Sequence, residues 1–183
     1  MHVVDDVILA AWICFWAYWL VCSFNVKTAR TRSSGGIAIR VALVLVLLSL
    51  VRGRVIKGHA ATVSNPVLQG IGLAVFFSGL ALAVWARLYL GRNWGTPMSQ
   101  KVDPELVTTG PYRFVRHPIY SGIILAMVGT TIAVSWYWLA GVVLLGAYFT
   151  YSSIIEERNL SALFPATFPD YKRSTKRMIP LIF

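Results

Sequence analysis

Apolar residues come in long, nearly unbroken runs, and the polar residues gather between them. A helix needs roughly 20 mostly apolar residues to cross the hydrocarbon of a bilayer. Val7–Phe24 is the first such run, and Ile37–Val51 is a shorter second one broken only by Arg40, whose long stem lets its charge reach the interface. Val67–Leu90 is the third and carries Arg87 near its end. From Pro118 to Ile155 the chain stays apolar for far longer than one span requires. Ser135-Trp136-Tyr137-Trp138 lies in the middle of that stretch, and Trp and Tyr favour the membrane interface. Two spans, Pro118–Val134 and Trp138–Ile155, are therefore expected as a tight hairpin. The pattern predicts an all-α fold: a polytopic membrane helix bundle of about five transmembrane helices. A two-span region covers 1–66 and a core covers 67–183.

Composition narrows the class further. Of the 183 residues, 57% are hydrophobic and 13% charged, against about 25% charged in an average soluble domain. A soluble domain, a disordered tail and a secreted disulfide scaffold are excluded. Cys14 and Cys22 share one helix and stand about 12 Å apart along it, too far for a disulfide. The net charge of +10 comes from clusters between the runs, the place where cytoplasmic loops gain cations. No basic stripe interleaved with aromatics points to nucleic acid. Lys27, Arg30 and Arg32 follow the first run while Asp5 and Asp6 precede it. That order is opposite to a cleavable signal peptide and predicts a retained span with its N-terminus outside. Five spans then put the first loop, the Gly91–His117 loop and the basic C-terminal tail in the cytoplasm. The tail, broken at Pro165, Pro169 and Pro180, is expected to lie on the membrane surface as an interfacial helix.

Chemistry concentrates in Gly110-Pro111-Tyr112-Arg113-Phe114-Val115-Arg116-His117-Pro118-Ile119-Tyr120-Ser121-Gly122. Gly110-Pro111 marks a turn, and Pro118 suits the first position of a helix. Free N–H groups over Ile119–Ser121 would then offer an anion site beside Arg116 and His117. Gly122, one turn on, is expected to leave room for a flat ligand, with Tyr120 and Ser121 as further contacts. The second feature is the pair Glu156-Glu157. The two arms of the hairpin, Pro118 to Ser135 and Trp138 to Glu156, are each about 26 Å long at 1.5 Å per residue. The pair should therefore return to the level of His117. The same residues also suit plain interfacial anchoring, as do Arg87, Arg92, Asn93 and Trp94. His2, His59 and His117 are too scattered for a metal site.

These blocks, followed by Phe168-Pro169-Asp170-Tyr171, resemble the isoprenylcysteine carboxyl methyltransferase family, which is related to the membrane phospholipid N-methyltransferases. The Arg87…Gly91-Arg92-Asn93-Trp94 stretch resembles its bacterial members. The resemblance implies S-adenosylmethionine as methyl donor, held on the cytosolic side, and a lipophilic acceptor entering from the bilayer. By position, Tyr112, Arg116, His117, Pro118, Tyr120, Gly122, Glu156 and Glu157 would contact the donor or frame its pocket. Many relatives carry an arginine just before the Glu pair, where this chain has Ser152-Ser153-Ile154-Ile155. Arg87, Arg92 and Arg158 are alternatives for its role. The short form implies a bacterial inner membrane, where a prenylated protein terminus is not an obvious substrate.

In-line methyl transfer needs positioning and electrostatics more than covalent help. A carboxylate acceptor needs a cation to orient it, Arg116 or Arg87. An amine or hydroxyl needs a base, Glu156 or Glu157. An NADPH-dependent membrane reductase of sterol-like lipids is one rival, although the Gly91–His117 loop has few cations for a cofactor with several phosphates. A non-catalytic membrane protein with the same bundle is another.

Overall fold

The computed structural model describes residues 3–24, 29–31, 62–94, 100–101 and 105–180. The fold is all-α, with helices α1 (Val3–Ser23), α2 (Pro66–Leu90), α3 (Pro118–Ala133), α4 (Leu139–Leu163) and α5 (Phe168–Ser174). A short antiparallel ladder joins Ala29–Thr31 to Gln100–Lys101. Among the described residues, three stretches are long and apolar enough to cross a membrane: Val3–Ser23, Pro66–Asn93 and Trp136–Leu163. α3 is apolar but shorter. The expected second span, Ile37–Val51, lies outside the described residues, as do Arg40 and Arg54.

Local chemistry sets the helix ends. Asn65 caps α2, its side-chain oxygen accepting from the N–H groups of Val67 and Leu68 at 2.9 and 3.3 Å, and Pro66 follows at the first helical position. Gly91 ends α2 with a φ of +52°, a conformation that suits glycine. The hairpin turn is tied by Ser135, whose side chain accepts from the Tyr137 N–H. A bond from Val63 N to Val134 O (3.0 Å) braces it from the side. The last expected span, Trp138–Ile155, is the greater part of a longer helix, because α4 keeps its hydrogen bonds to Leu163 and stops only at Phe164-Pro165. Proline cannot continue the ladder, and it disfavours helix in the residue before it.

The core seam lies between α2 and α3, where glycines let the two backbones touch. A Cβ on Gly79 would stand 2.4 Å from the Ala126 nitrogen and 2.6 Å from the Gly122 oxygen. One on Gly129 would stand 2.3 Å from the Phe76 nitrogen, and one on Gly72 would be 2.4 Å from the Ala133 nitrogen. Gly72 and Gly79, like Gly122 and Gly129, are seven residues apart, so each pair lines one helix face. Small residues in membrane helices permit this close approach. α1 packs on the seam through aromatic side chains. Trp12 donates to the Thr130 hydroxyl at 3.2 Å and meets Phe76 edge-on at 5.6 Å. Its other face leaves Leu9, Ile13, Trp16 and Leu20 exposed, as lipid contact requires.

Candidate active site

The block that begins at Gly110 is held from below. Gly110 has a φ of +59°, and any Cβ there would strike the Tyr89 ring at 2.4 Å, so the turn accepts only glycine. Pro111 and Tyr112 are buried beneath it. The Tyr171 hydroxyl, from α5, donates to the Tyr112 carbonyl at 2.7 Å. Beyond α5 the chain runs back along the block and meets it in one parallel bridge, Val115 with Lys176. Arg116 N donates to Lys176 O (2.8 Å), and His117 N donates to Arg177 O (2.9 Å). The Ser121 hydroxyl lies 2.6 Å from Met178 O.

Glu157, 2% exposed, is the hub. Its Oε1 accepts from Arg116 Nε at 2.9 Å and Arg177 Nε at 3.0 Å, and its Oε2 from Arg177 Nη2 at 3.2 Å. Lys172 Nζ is 3.4 Å away, and His117 Nε2 sits at 3.5 Å as an ion-pair contact. Arg116 also donates through Nη1 to the carbonyls of Lys172 and Thr175. Glu156, the next residue, is 24% exposed. Its Oε1 accepts from the Tyr120 hydroxyl at 2.6 Å, and its Oε2 is 3.5 Å from His117 Nδ1. The His117 ring stacks on Tyr120 (5.5 Å, 3°), and Tyr120 on Phe149 (4.4 Å, 13°). These rings leave the imidazole little freedom to turn.

Burial disfavours a charged His117, but the two carboxylates facing it outweigh that effect and raise its pKa above the ordinary histidine value. Burial raises the Tyr112 phenol, as do Tyr171 and the Glu156 charge, against an opposing pull from Arg87. Arg87 itself is remote from the Glu157 hub. Its Nη1 donates to Gly91 O at 2.6 Å, its Nη2 to Cys22 O at 3.1 Å, and its guanidinium lies 4.9 Å from the centre of the Trp94 ring. Asn93 turns away to Glu105 at 3.3 Å.

The structure brings Arg116, His117, Tyr120, Glu156 and Glu157 into contact. It revises three expectations nearby. The α3 start is not an open anion site: Ser121 N already bonds His117 O at 3.1 Å, Pro118 and Ile119 are buried, and residues 176–178 lie alongside. Gly122 leaves no room for a flat ligand, because its open side is filled by the Gly79 oxygen at 2.6 Å and the Ala83 nitrogen at 2.7 Å. The stretch after Asn159 does not simply lie flat, since its end folds back on the site. Lys172 and Arg177 were visible only as tail cations, and no local signal announced their pairing with Glu157. Among the described residues no group of three or more His, Cys, Asp or Glu side chains could hold a metal ion.

A helical bundle with apolar outer faces and a compact charged site at one end of its central hairpin defines a class of membrane protein. The sequence pattern of the phospholipid methyltransferase family matches residues 68–167, and the chain belongs to that family. That stretch runs from α2 past the Glu pair. The chain is 30% identical over 146 residues to the nickel-cobalt-cadmium resistance protein NccN of Alcaligenes xylosoxydans xylosoxydans, covering 77% of this chain and 64% of that protein. It is 28% identical over 150 residues to the cobalt-zinc-cadmium resistance protein CzcN of Cupriavidus metallidurans, with 77% and 63% covered. The chain thus spans somewhat under two thirds of the length of these curated relatives.

Proposed function

We propose that this protein is an integral membrane methyltransferase that uses S-adenosylmethionine and acts on a lipophilic acceptor at the membrane interface. Family membership supports a methyltransferase. The observation that carries the donor reading is the split between two adjacent carboxylates. Glu157 is enclosed by cations, whereas Glu156 is partly open and held by the Tyr120 hydroxyl. The donor set suits S-adenosylmethionine in charge. Arg116, Lys172 and Arg177 outnumber the two carboxylates, which favours an added carboxylate, and Glu156 offers an acceptor to an ammonium or ribose hydroxyl.

S-adenosylmethionine supplies an electrophilic methyl group on sulfur. Glu156 faces the donor, and Tyr120 fixes the rotamer of its carboxylate. Glu157 keeps Arg116 and Arg177 in place, and with them the segment after α5 that lies against the site. For an amine or hydroxyl acceptor, Glu156 takes the proton released as the new bond to carbon forms. The site faces the cytoplasm, on the side that the basic loops favour.

Calorimetric titration of the detergent-purified protein tests this reading. S-adenosylmethionine should bind saturably, Glu156→Gln should weaken it at least tenfold, and Arg173→Ala, on an exposed face of α5, should not. Binding of NADPH in place of S-adenosylmethionine would refute the proposal and turn the search to reducible lipids.

A further inference from the structure

One face of α4 carries Leu145, Phe149, Ser152 and Glu156, spaced by four, three and four residues. Phe149 and Glu156 both touch Tyr120 of α3, the first by stacking at 4.4 Å and the second by accepting its hydroxyl at 2.6 Å. Ser152 stands between them on that face. It is fully buried, and its hydroxyl has no hydrogen-bond partner among the described residues. The other buried serines and threonines there are all satisfied. Thr130 and Thr131 donate to the carbonyls of Ala126 and Met127 at 3.0 and 2.9 Å, and Ser153 donates to Thr150 O at 2.7 Å. Thr175 donates to Tyr171 O, and Ser135 accepts from the Tyr137 N–H. A helix offers every serine a carbonyl one turn back, and Ser152 does not take it. A buried hydroxyl left unpaired is costly, and such a group in a packed interior needs a reason.

We propose that Ser152 hydrogen-bonds the nucleophilic atom of the acceptor, and that this atom belongs to an uncharged hydroxyl group. The inference rests on the methyltransferase reading and specifies its acceptor. Residues four apart in a helix hold their Cβ atoms about 5–6 Å from each other, and an O–H···O bond spans about 2.8 Å. One oxygen lying between Ser152 and Glu156 can therefore meet both side chains. Glu156 takes the proton that this oxygen loses as its bond to carbon forms and the carbon–sulfur bond breaks, the electron pair staying with sulfur. Ser152 keeps its own proton and fixes where the oxygen stands. Depth selects against charge. Ser152 lies about 6 Å further along α4 toward the hairpin turn than Glu156, and the cations of the cluster are engaged on Glu157. A carboxylate or an alkylammonium held at that level would find only a neutral hydroxyl as its partner on α4, an expensive position for an ion. Entry at Ser152 moves side chains and not helices, because α4 meets α3 there through the rings of Phe149 and Tyr120.

The test uses the full chain in phosphatidylcholine nanodiscs, titrated with four probes that share one body: 4-octylphenol, octylbenzene, 4-octylbenzoate and 4-octylbenzylamine. The phenol should bind at least tenfold more tightly than each of the others. Ser152→Ala should remove that preference and leave the melting temperature unchanged or raised, because the hydroxyl it deletes has no bond to lose. Ser153→Ala, which does lose a bond, should keep the preference. A preference below tenfold in the wild type, one that survives in Ser152→Ala, or one lost equally in Ser153→Ala overturns the assignment. So does tighter binding of the benzoate or the benzylamine, because the site then selects charge. A lower melting temperature in Ser152→Ala, misfolding included, also overturns it, since the hydroxyl then serves the fold through a bound water. S-adenosylmethionine is titrated in parallel. If it fails to bind while the phenol preference holds, the donor reading falls and the Ser152 contact stands; the reverse result removes only the contact.

Discussion

The α2–α3 seam and the charged end of the hairpin share α3 and work in opposite ways. Along the seam, glycine and alanine bring backbone against backbone, and no atom can be added without moving a helix. At the charged end, long side chains reach across gaps to one buried carboxylate, and the arrangement depends on charge state. The first region supplies a rigid frame. The second can change when a ligand or proton arrives, because its contacts are individually replaceable. A site that must admit and release a molecule belongs on the second kind of structure, mounted on the first.

The comparison breaks most visibly at Gly129. Gly129→Leu drives a side chain into the Phe76 backbone, and we expect about 3 kcal/mol or more of destabilisation, read as loss of monodisperse protein on gel filtration. Next comes Glu157→Gln, which strands Arg116 and Arg177 without their counter-charge. Thermal unfolding in detergent should show a loss of about 3 kcal/mol, and a change below about 1 kcal/mol would mean that water, not Glu157, satisfies those cations.

His117 sharpens the contrast through pH. Its pKa is raised in the folded protein, so the stabilisation is fully present below its unfolded value of about 6.5. It is lost as pH rises through the folded value. Melting temperature should therefore fall over that interval, and His117→Gln should flatten the change. A profile in the variant identical to that of the wild type would remove His117 from the account. Ser121→Ala deletes the bond to Met178 O and should cost about 1 kcal/mol, with faster proteolysis of the segment after α5 as the readout. Gly146→Ala, facing open space on α4, should leave melting unchanged or slightly raised.

Much of this frame was legible in the residues. Helix rise is constant, so counting along the two arms of the hairpin was enough to bring Glu156 and Glu157 level with His117. Asn65-Pro66 and Gly91 bracket α2 through chemistry that is local to each end. The partners of Glu157 were not legible in the same way. Arg177 reaches it only because the chain reverses after α5 and pairs with 115–117, a contact between segments far apart in sequence. Gly122 misled for a related reason. A glycine in a helix signals close approach by something, and whether that is a ligand or another backbone depends on Gly79, more than forty positions away.

The unequal lengths of the hairpin arms have a further effect. α3 has 16 residues and α4 has 25, about 24 and 37 Å long, and α4 runs past Glu157 for another turn and a half. The charged cluster is therefore set in a notch, roughly 9 Å short of the tip of its longer wall. The lipophilic acceptor proposed above would reach such a recessed site without being raised to the tip of that wall. Lifting a chain out of hydrocarbon costs about 0.8 kcal/mol for each methylene exposed, and a recessed site avoids most of that extraction.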